Sequence, residues 1–143
     1  MRLGSMEYMQ RVQELSNTDA EYQRLAQGQY ESYTLVLEAE PGKGVSNPLI
    51  VGFDCQDGKI VELWEGQRPT TFTLSAPYGV WVEILTGKMG PTKAITMRRL
   101  KTQGPFLQLL KGADRVIRWV DLLRTIPTEF EGEYAGHNFP TAP

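Results

Sequence analysis

Residues 33–65 alternate apolar and polar side chains with a period of two, in short runs separated by turn sequences. The apolar members of the first two runs are Tyr33, Leu35, Leu37 and Ala39, and then Leu49, Val51, Phe53 and Cys55. A period of two is typical of half-buried β-strands. The pair Asp57-Gly58 favours the positive φ angles of a tight hairpin turn and connects the second run to a third at residues 60–65. Such short connections predict strands that pair antiparallel with their neighbours.

Two further strands are predicted downstream. A fourth strand over residues 70–74 follows the turn at residues 66–69 and extends the antiparallel meander to four strands. A fifth strand is predicted over residues 95–102, because Gly104-Pro105 then interrupts the chain. The sheet is therefore expected to hold five strands.

Helical signals flank these strands. The predicted helices cover residues 6–15, 18–27, 76–85, 106–110 and 115–124. Thr18 and Glu21 have the spacing of a capping box, and Ser75 is a favourable N-cap for the third helix. In the last helix Arg115 and Arg124 flank an apolar face, and we expect their charged ends to reach water or lipid phosphate.

Length and composition exclude several classes of protein. At 143 residues the chain can form one domain, and no apolar run approaches the ~18–20 residues of a transmembrane helix. The single cysteine, Cys55, excludes an internal disulfide bond and any multi-cysteine metal site, and we expect its thiol to be buried and inert. The single histidine, His137, argues against a Ser-His or Cys-His catalytic pair, and we expect it to be exposed. We predict no catalytic residues, no metal and no cofactor. Because the N-terminus lacks the pattern of a secretion signal, we also predict a cytoplasmic location.

Basic residues are concentrated in one stretch. Between Lys88 and Arg124 the chain carries nine basic residues and only two acidic ones, although the net charge of the whole chain is −2. Segregated charge favours an anionic partner such as a phosphate-bearing lipid or an anionic membrane surface. The alternative is that folding disperses these charges over a mixed surface. Because the stretch lacks the interleaved aromatics of single-strand binding proteins, no nucleic-acid partner is expected.

One segment carries a family resemblance. Residues 85–94 read Leu-Thr-Gly-Lys-Met-Gly-Pro-Thr-Lys-Ala, and residues 100–104 read Leu-Lys-Thr-Gln-Gly. This spacing resembles the sterol-carrier-protein type 2 family, with its Gly-Lys-x-x-Pro turn and Leu-Lys-x-x-Gly strand end. The order of predicted elements is also similar over residues 6–123. The chain departs from the family pattern at Arg98, where the family usually has a glycine.

The resemblance implies an α+β fold: a five-stranded mixed, mainly antiparallel sheet covered on one face by helices, with an apolar tunnel between them. The implied lipid-binding domain covers residues 6–127. From their own composition, residues 1–5 are expected to be at least partly an appended segment, and residues 128–143 a flexible acidic tail. The implied function is non-catalytic binding or transfer of a lipid such as a fatty acid, acyl-CoA or sterol, so the protein is not expected to be an enzyme.

The large apolar residues of the predicted helices and strands are the candidates for the tunnel wall. These candidate lipid-binding residues are Trp64, Phe72, Trp81, Ile84, Leu85, Met89, Phe106, Leu110, Trp119 and Val120. The alternative is that they fill a solid core. Arg98 and Arg99 are candidates for holding an anionic head group, and the alternative there is a solvated strand face.

Two other functions remain open from the sequence. The chain could be an accessory module of a lipid- or quinone-pathway complex that carries no lipid itself, with its last helices as the surface for a partner protein or a homodimer. An enzyme acting on acyl thioesters is the third choice, because the sequence offers no evident nucleophile and base.

Overall fold

The computed structural model describes residues 1–140. Its helices are α1 Met6–Thr18, α2 Ala20–Leu25, α3 Tyr78–Leu85, α4 Pro91–Thr96, α5 Phe106–Lys111 and α6 Ala113–Leu123. Its strands are β1 Tyr30–Glu38, β2 Leu49–Gln56, β3 Lys59–Glu65, β4 Phe72–Pro77 and β5 Lys101–Gln103. Short 3₁₀ turns cover Pro41–Lys43 and Gly132–His137. Five of the six helices correspond to helices predicted from the sequence. The additional helix is α4.

The five strands form one mixed sheet in the order β3-β2-β1-β4-β5. The pairs β1–β2, β2–β3 and β4–β5 are antiparallel, and β1–β4 is parallel. The predicted mixed, mainly antiparallel sheet is confirmed, but the four-strand meander is wrong at its last strand. β4 crosses to the far side of β1, where Ser32 N donates to Thr71 Oγ1 at 3.0 Å. This crossover places the long strand β1 at the centre of the sheet, where both of its edges are paired.

The hairpin between β2 and β3 is confirmed at Asp57-Gly58. Asp57 has φ 50° and Gly58 has φ 78°, the left-handed region that such a turn requires. A Cβ at Gly58 would lie 2.7 Å from the carbonyl oxygen of Ala26, so the close approach of α2 also requires glycine here. The turn therefore fixes both the β2–β3 register and the position of the end of α2.

The two faces of the sheet differ because side chains alternate along each strand. The inner face carries buried apolar residues such as Tyr33, Leu35 and Phe53. α1 packs against β3, α3 against β1 and β4, and α6 against α1, α2 and α4. The core lies between this inner face and the helices.

The predicted fifth strand over residues 95–102 is wrong except at its last two residues, because β5 covers Lys101–Gln103. Pro91 begins α4 at its first turn, where its fixed φ suits a helix, and α4 buries Ala94 and Ile95. Arg98 follows with φ 59°, which turns the chain sharply, so β5 starts only at Lys101.

Two predicted caps also differ. Asp19 rather than Thr18 caps α2, since Asp19 Oδ2 accepts from Tyr22 N at 2.8 Å while Thr18 Oγ1 donates to the Glu14 carbonyl. Ser75 lies within β4, and α3 begins three residues later at Tyr78.

Both ends of the described chain pack on the core. Leu3 is buried, and its N–H donates to the Glu129 carbonyl at 3.0 Å. Thr128 and Phe130 are also buried, and Thr128 N donates to the Phe139 carbonyl at 2.7 Å. Residues 1–5 and 128–140 therefore differ from the appended segment and flexible tail expected from the sequence. The remainder of that expected tail, residues 141–143, lies outside the described residues.

Candidate ligand-binding cavity

Two neighbouring cavities lie between the inner face of the sheet and the helices. The larger has a volume of about 70 Å³ and the smaller about 40 Å³. Both are lined almost entirely by apolar side chains. The residues that line both cavities are Leu35, Trp81, Leu85, Trp119 and Leu123. These five side chains form a shared wall between the two spaces.

Half of the candidate tunnel residues come together on the larger cavity. They are Trp81, Ile84, Leu85, Trp119 and Val120. The first three project from α3 and the last two from α6, because helical spacing places them on the faces that α3 and α6 turn to the sheet. Trp119 packs its ring 5.4 Å from that of Phe53 and donates from Nε1 to Ser16 Oγ at 3.0 Å.

The other five candidates lie away from the cavity. Trp64 is on the outer face of the sheet, beneath the guanidinium of Arg68 at 4.4 Å from its ring. Phe72 is completely buried behind Tyr33, with ring centroids 5.2 Å apart. Met89 and Leu110 are half-buried at the margin of the core, and Phe106 is 41% exposed. Trp64 is separated from the helices by the sheet, because its position on β3 faces outward. The apolar character of the residue alone does not reveal this.

Arg98 and Arg99 do not lie on the cavity. Arg98 borders a surface depression together with Lys101 and Phe106. Arg99 forms an ion pair with Glu83 at 2.9 Å. The two side chains are therefore separated, and neither is placed to hold a head group inside the cavity.

The flanking arginines of α6 also differ from the expectation that they reach outward. Arg124 Nη2 donates to the Ile84 carbonyl at 2.8 Å, which ties α6 to the end of α3. Arg115 is only 14% exposed in its side chain and pairs with Glu31 at 3.2 Å. Both cations thus stabilise internal contacts.

A largely buried polar cluster adjoins the larger cavity, which Gln29, Tyr33 and Arg115 line, while Gln108 reaches it from the surface. Tyr33 Oη donates to Glu31 at 2.6 Å, and Gln108 Nε2 donates to Glu31 at 2.5 Å. Gln29 and Arg115, which line the cavity, also donate to Glu31 at 3.3 Å and 3.2 Å. We call Gln29, Glu31, Tyr33, Gln108 and Arg115 the Glu31 cluster. It joins β1, α5 and α6 through a single carboxylate.

Sequence reasoning missed the Glu31 cluster, although one signal was present. Glu31 precedes Tyr33 by two residues, so the period of two places it on the apolar face of β1. A charged residue in such a position requires a partner. The sequence does not indicate which residues are the partners of Glu31, since Gln108 and Arg115 lie about eighty positions away.

Burial raises the pKa of the tyrosine and cysteine side chains around the cavity, which keeps them in their neutral forms. Burial, followed by the neighbouring Glu31, raises the pKa of Tyr33 far above its usual range, so its phenol remains a donor. Burial raises the pKa of the Cys55 thiol to about 12, which keeps it protonated and inert, and His137 is exposed. Among residues 1–140, no three His, Cys, Asp or Glu side chains are grouped so that they could hold a metal ion. In the same residues, no helix combines the length and apolarity needed to cross a bilayer.

Comparison with known proteins agrees with this architecture. The model of the SCP-2 sterol transfer family matches residues 9–113. No curated protein matches the chain. A crystal structure of sterol carrier protein 2 superposes with a TM-score of 0.77 at 20% identity, covering 87% of this chain and 99% of that one.

Two further solved structures share the fold. A conserved hypothetical protein from Thermus thermophilus gives a TM-score of 0.73 at 21% identity, with 87% of this chain and 89% of that chain covered. Palmitated SCP2L2 from Aedes aegypti gives a TM-score of 0.59 at 10% identity, with 81% and 95% covered.

Proposed function

The chain belongs to the SCP-2 sterol transfer family, and from this premise we propose that it binds a lipid between the sheet and helices α3 and α6 and carries it without chemical change. The observation that supports this is the pair of apolar cavities with a shared wall. Each buried methylene of an acyl chain contributes about 0.8 kcal/mol, which suits a ligand recognised by its apolar length.

The size of the cavities dictates how a lipid is accommodated. Sites for organic ligands enclose about 300–1,000 Å³, whereas the larger cavity has about 70 Å³ and the smaller about 40 Å³. A long chain must therefore join and widen the two spaces. Trp119 is the largest half-buried member of the shared wall, so we propose that its ring moves when a lipid enters.

The non-catalytic part of the proposal is supported by the chemistry of the cavity. Its lining is apolar except for Tyr22, Gln29, Tyr33 and Arg115. The thiol of Cys55 is buried and protonated. None of these groups forms the nucleophile and base that acyl transfer requires.

Native mass spectrometry of the protein as purified tests lipid binding directly. We expect a bound mass in the range of a fatty acid, fatty alcohol or sterol, and displacement of a fluorescent fatty acyl probe after delipidation. A co-purified protein with no bound lipid, and no displacement by any lipid class, would support the accessory-module function instead.

We also propose that the protein delivers its lipid to an anionic membrane through the surface around α4, β5 and α5. Arg98, Lys101 and Phe106 border one depression there, and the adjoining Met97 and Leu107 are 57% and 72% exposed. Apolar side chains among cations are the composition of an interfacial membrane contact. We call these five residues the α4–α5 patch.

Backbone strain at Arg98 supports a role for its charge. A non-glycine residue at φ 59° is strained, yet the exposed side chain of Arg98 makes no ion pair within residues 1–140. No ion pair of the described residues explains an arginine at this turn, and we propose attraction to anionic lipid as the reason for it.

Arg98→Gly should give two opposite effects. We expect the free energy of unfolding to rise by about 0.5–1 kcal/mol, because glycine relieves the strain at a small entropic cost. Binding to phosphatidylserine vesicles should weaken by about fivefold, since one cation near such a surface contributes about 1 kcal/mol. Vesicle sedimentation and urea denaturation measure the two effects.

Lys59→Ala provides the control, because Lys59 lies on β3 at the opposite edge of the sheet from β5. Its loss should leave vesicle binding unchanged. Equal binding of Arg98→Gly and the unaltered protein to phosphatidylserine vesicles would remove the α4–α5 patch from the proposal.

A further inference from the structure

The Glu31 cluster has a charge balance that bears on which lipid the cavity accepts. Glu31 is buried, with 6% of its side chain exposed, and it accepts hydrogen bonds from Gln29, Tyr33, Gln108 and Arg115. A carboxylate offers about four acceptor positions. Three of these bonds reach Oε2 and one, from Gln108, reaches Oε1, so most of its hydrogen-bonding capacity is used within the protein.

Arg115, in contrast to Glu31, keeps unused hydrogen-bonding capacity. It lines the larger cavity, and within the described part of the chain it donates one hydrogen bond, to Glu31. A guanidinium carries five N–H donors. Arg115 therefore keeps unused donors beside the cavity, and an oxygen atom of a bound molecule is able to accept from them.

The charge of Arg115 is already neutralised. Glu31 lies 3.2 Å from its Nη2, and both side chains are removed from water. A second carboxylate placed in this apolar space would add a negative charge with no cation to match it, at a cost of several kcal/mol before compensation. An uncharged oxygen accepts the same hydrogen bonds without that cost.

We propose that the cavity selects lipids whose polar end is an uncharged oxygen, a hydroxyl or a carbonyl, over lipids that end in a carboxylate. This inference rests on the proposed function, because it assumes that the ligand occupies the larger cavity. Arg115 is then the donor to the ligand oxygen. Glu31 sets the preference, because its negative charge balances the positive charge of Arg115.

The test compares dodecanol with dodecanoate in displacing a fluorescent acyl probe, at about pH 8, where the fatty acid carboxyl is ionised. For the unaltered protein we expect dodecanol to displace the probe at a concentration at least about tenfold lower than the concentration of dodecanoate that is needed. Glu31→Gln leaves the charge of Arg115 unmatched, so the order should reverse in favour of dodecanoate.

Glu62→Gln is the matched control, because Glu62 is an exposed carboxylate on β3 that pairs with Arg68 and does not line the cavity. It should keep the preference of the unaltered protein. Circular dichroism establishes that each variant is folded, and the comparison on the unaltered protein stands even if Glu31→Gln does not fold.

The outcomes separate this inference from the proposed function. Displacement by both lipids, with dodecanoate equal to or better than dodecanol on the unaltered protein, would overturn the head-group preference and leave lipid binding intact. No displacement by either lipid, or by any other lipid class, would overturn the proposed function and this inference with it.

Discussion

Two tryptophans that look equivalent in the sequence have different surroundings in the fold. Trp119 on α6 lies in the shared wall of the two cavities, against Phe53. Trp64 on β3 covers Gly52 on the outer face, where a Cβ on residue 52 would lie 2.3 Å from its ring atoms. Both side chains stabilise the protein, but only Trp119 lies where a lipid would pass.

Trp119→Ala should lower the free energy of unfolding of the lipid-free protein by about 3 kcal/mol, because a large ring leaves a void in the core. It should also tighten lipid binding, since the ring no longer has to be displaced to join the cavities. Chemical denaturation and probe displacement measure the two quantities.

Trp64→Ala is the matched control for that substitution. It should lower stability without changing lipid affinity, because Trp64 is separated from the cavities by the sheet. Weaker lipid binding in Trp119→Ala would mean that the ring is a contact of the ligand rather than a barrier to it.

At the scale of elements, α2 depends on its neighbours. A helix of six residues has little stability by itself. Asp19 caps it and also receives two hydrogen bonds from Arg118 on α6, at 3.0 Å and 2.8 Å. The hydrogen bonds from Arg118 lower the pKa of Asp19 below its ordinary value of 3.8. The ion pair between Asp19 and Arg118 therefore joins the junction of α1 and α2 to α6, the helix that covers the cavity.

Arg118→Gln should lower the free energy of unfolding modestly at neutral pH, as expected for the loss of a partly exposed ion pair. A lowered pKa means that the pair stabilises the fold above the ordinary pKa of Asp19 and that this contribution is lost as the pH falls through its lower, folded value. The difference between the two proteins should therefore shrink in denaturation curves recorded at successively lower pH.

Arg24→Gln serves as the comparison, because the pair of Arg24 with Glu21 is exposed on α2. It should have little effect at any pH. A constant difference between Arg118→Gln and the unaltered protein at all pH values would show that the guanidinium acts through packing rather than through Asp19.

Over the whole molecule, the two ends of the chain close the fold together. The N–H of Leu3 and the carbonyl of Glu129 form a hydrogen bond, and Phe130 is buried beside Phe139 with ring centroids 5.9 Å apart. Tyr134 packs on Tyr78 of α3, with ring centroids 5.6 Å apart, and donates to Glu40. The segment after α6 thus contributes to the core that supports α3.

Phe130→Ala should lower the free energy of unfolding by about 3 kcal/mol, as expected for removing a buried aromatic ring. Deletion of residues 128–143 should lower it further, because the backbone pairing with residues 1–3 is lost as well. Thermal denaturation followed by circular dichroism measures both.

Glu133→Ala, at an exposed position of the same segment, should leave the melting temperature unchanged. An unchanged melting temperature after deletion of residues 128–143 would contradict a structural role for the segment and favour the tail expected from the sequence.

Local patterns predicted what depends on neighbouring residues. Alternation at Tyr33, Leu35 and Phe53 marked the inner face of the sheet, and Asp57-Gly58 marked its hairpin, because side-chain direction and turn geometry follow from adjacent positions. Helical spacing likewise placed Trp81 and Trp119 on the covered faces of α3 and α6. The segment at residues 85–104 was enough to indicate the family and hence the mixed sheet.

Contacts between distant residues were decided only by the tertiary structure. The parallel pairing of β4 with β1, the burial of Phe130 and the union of Glu31 with Gln108 and Arg115 all join positions far apart in the chain. A short stretch of sequence does not indicate such pairings, because they depend on which surfaces remain to be buried once the elements have formed. The sequence alone therefore determined most of the elements and the family, and packing decided which side chains line the cavity and which charge lies at its polar end.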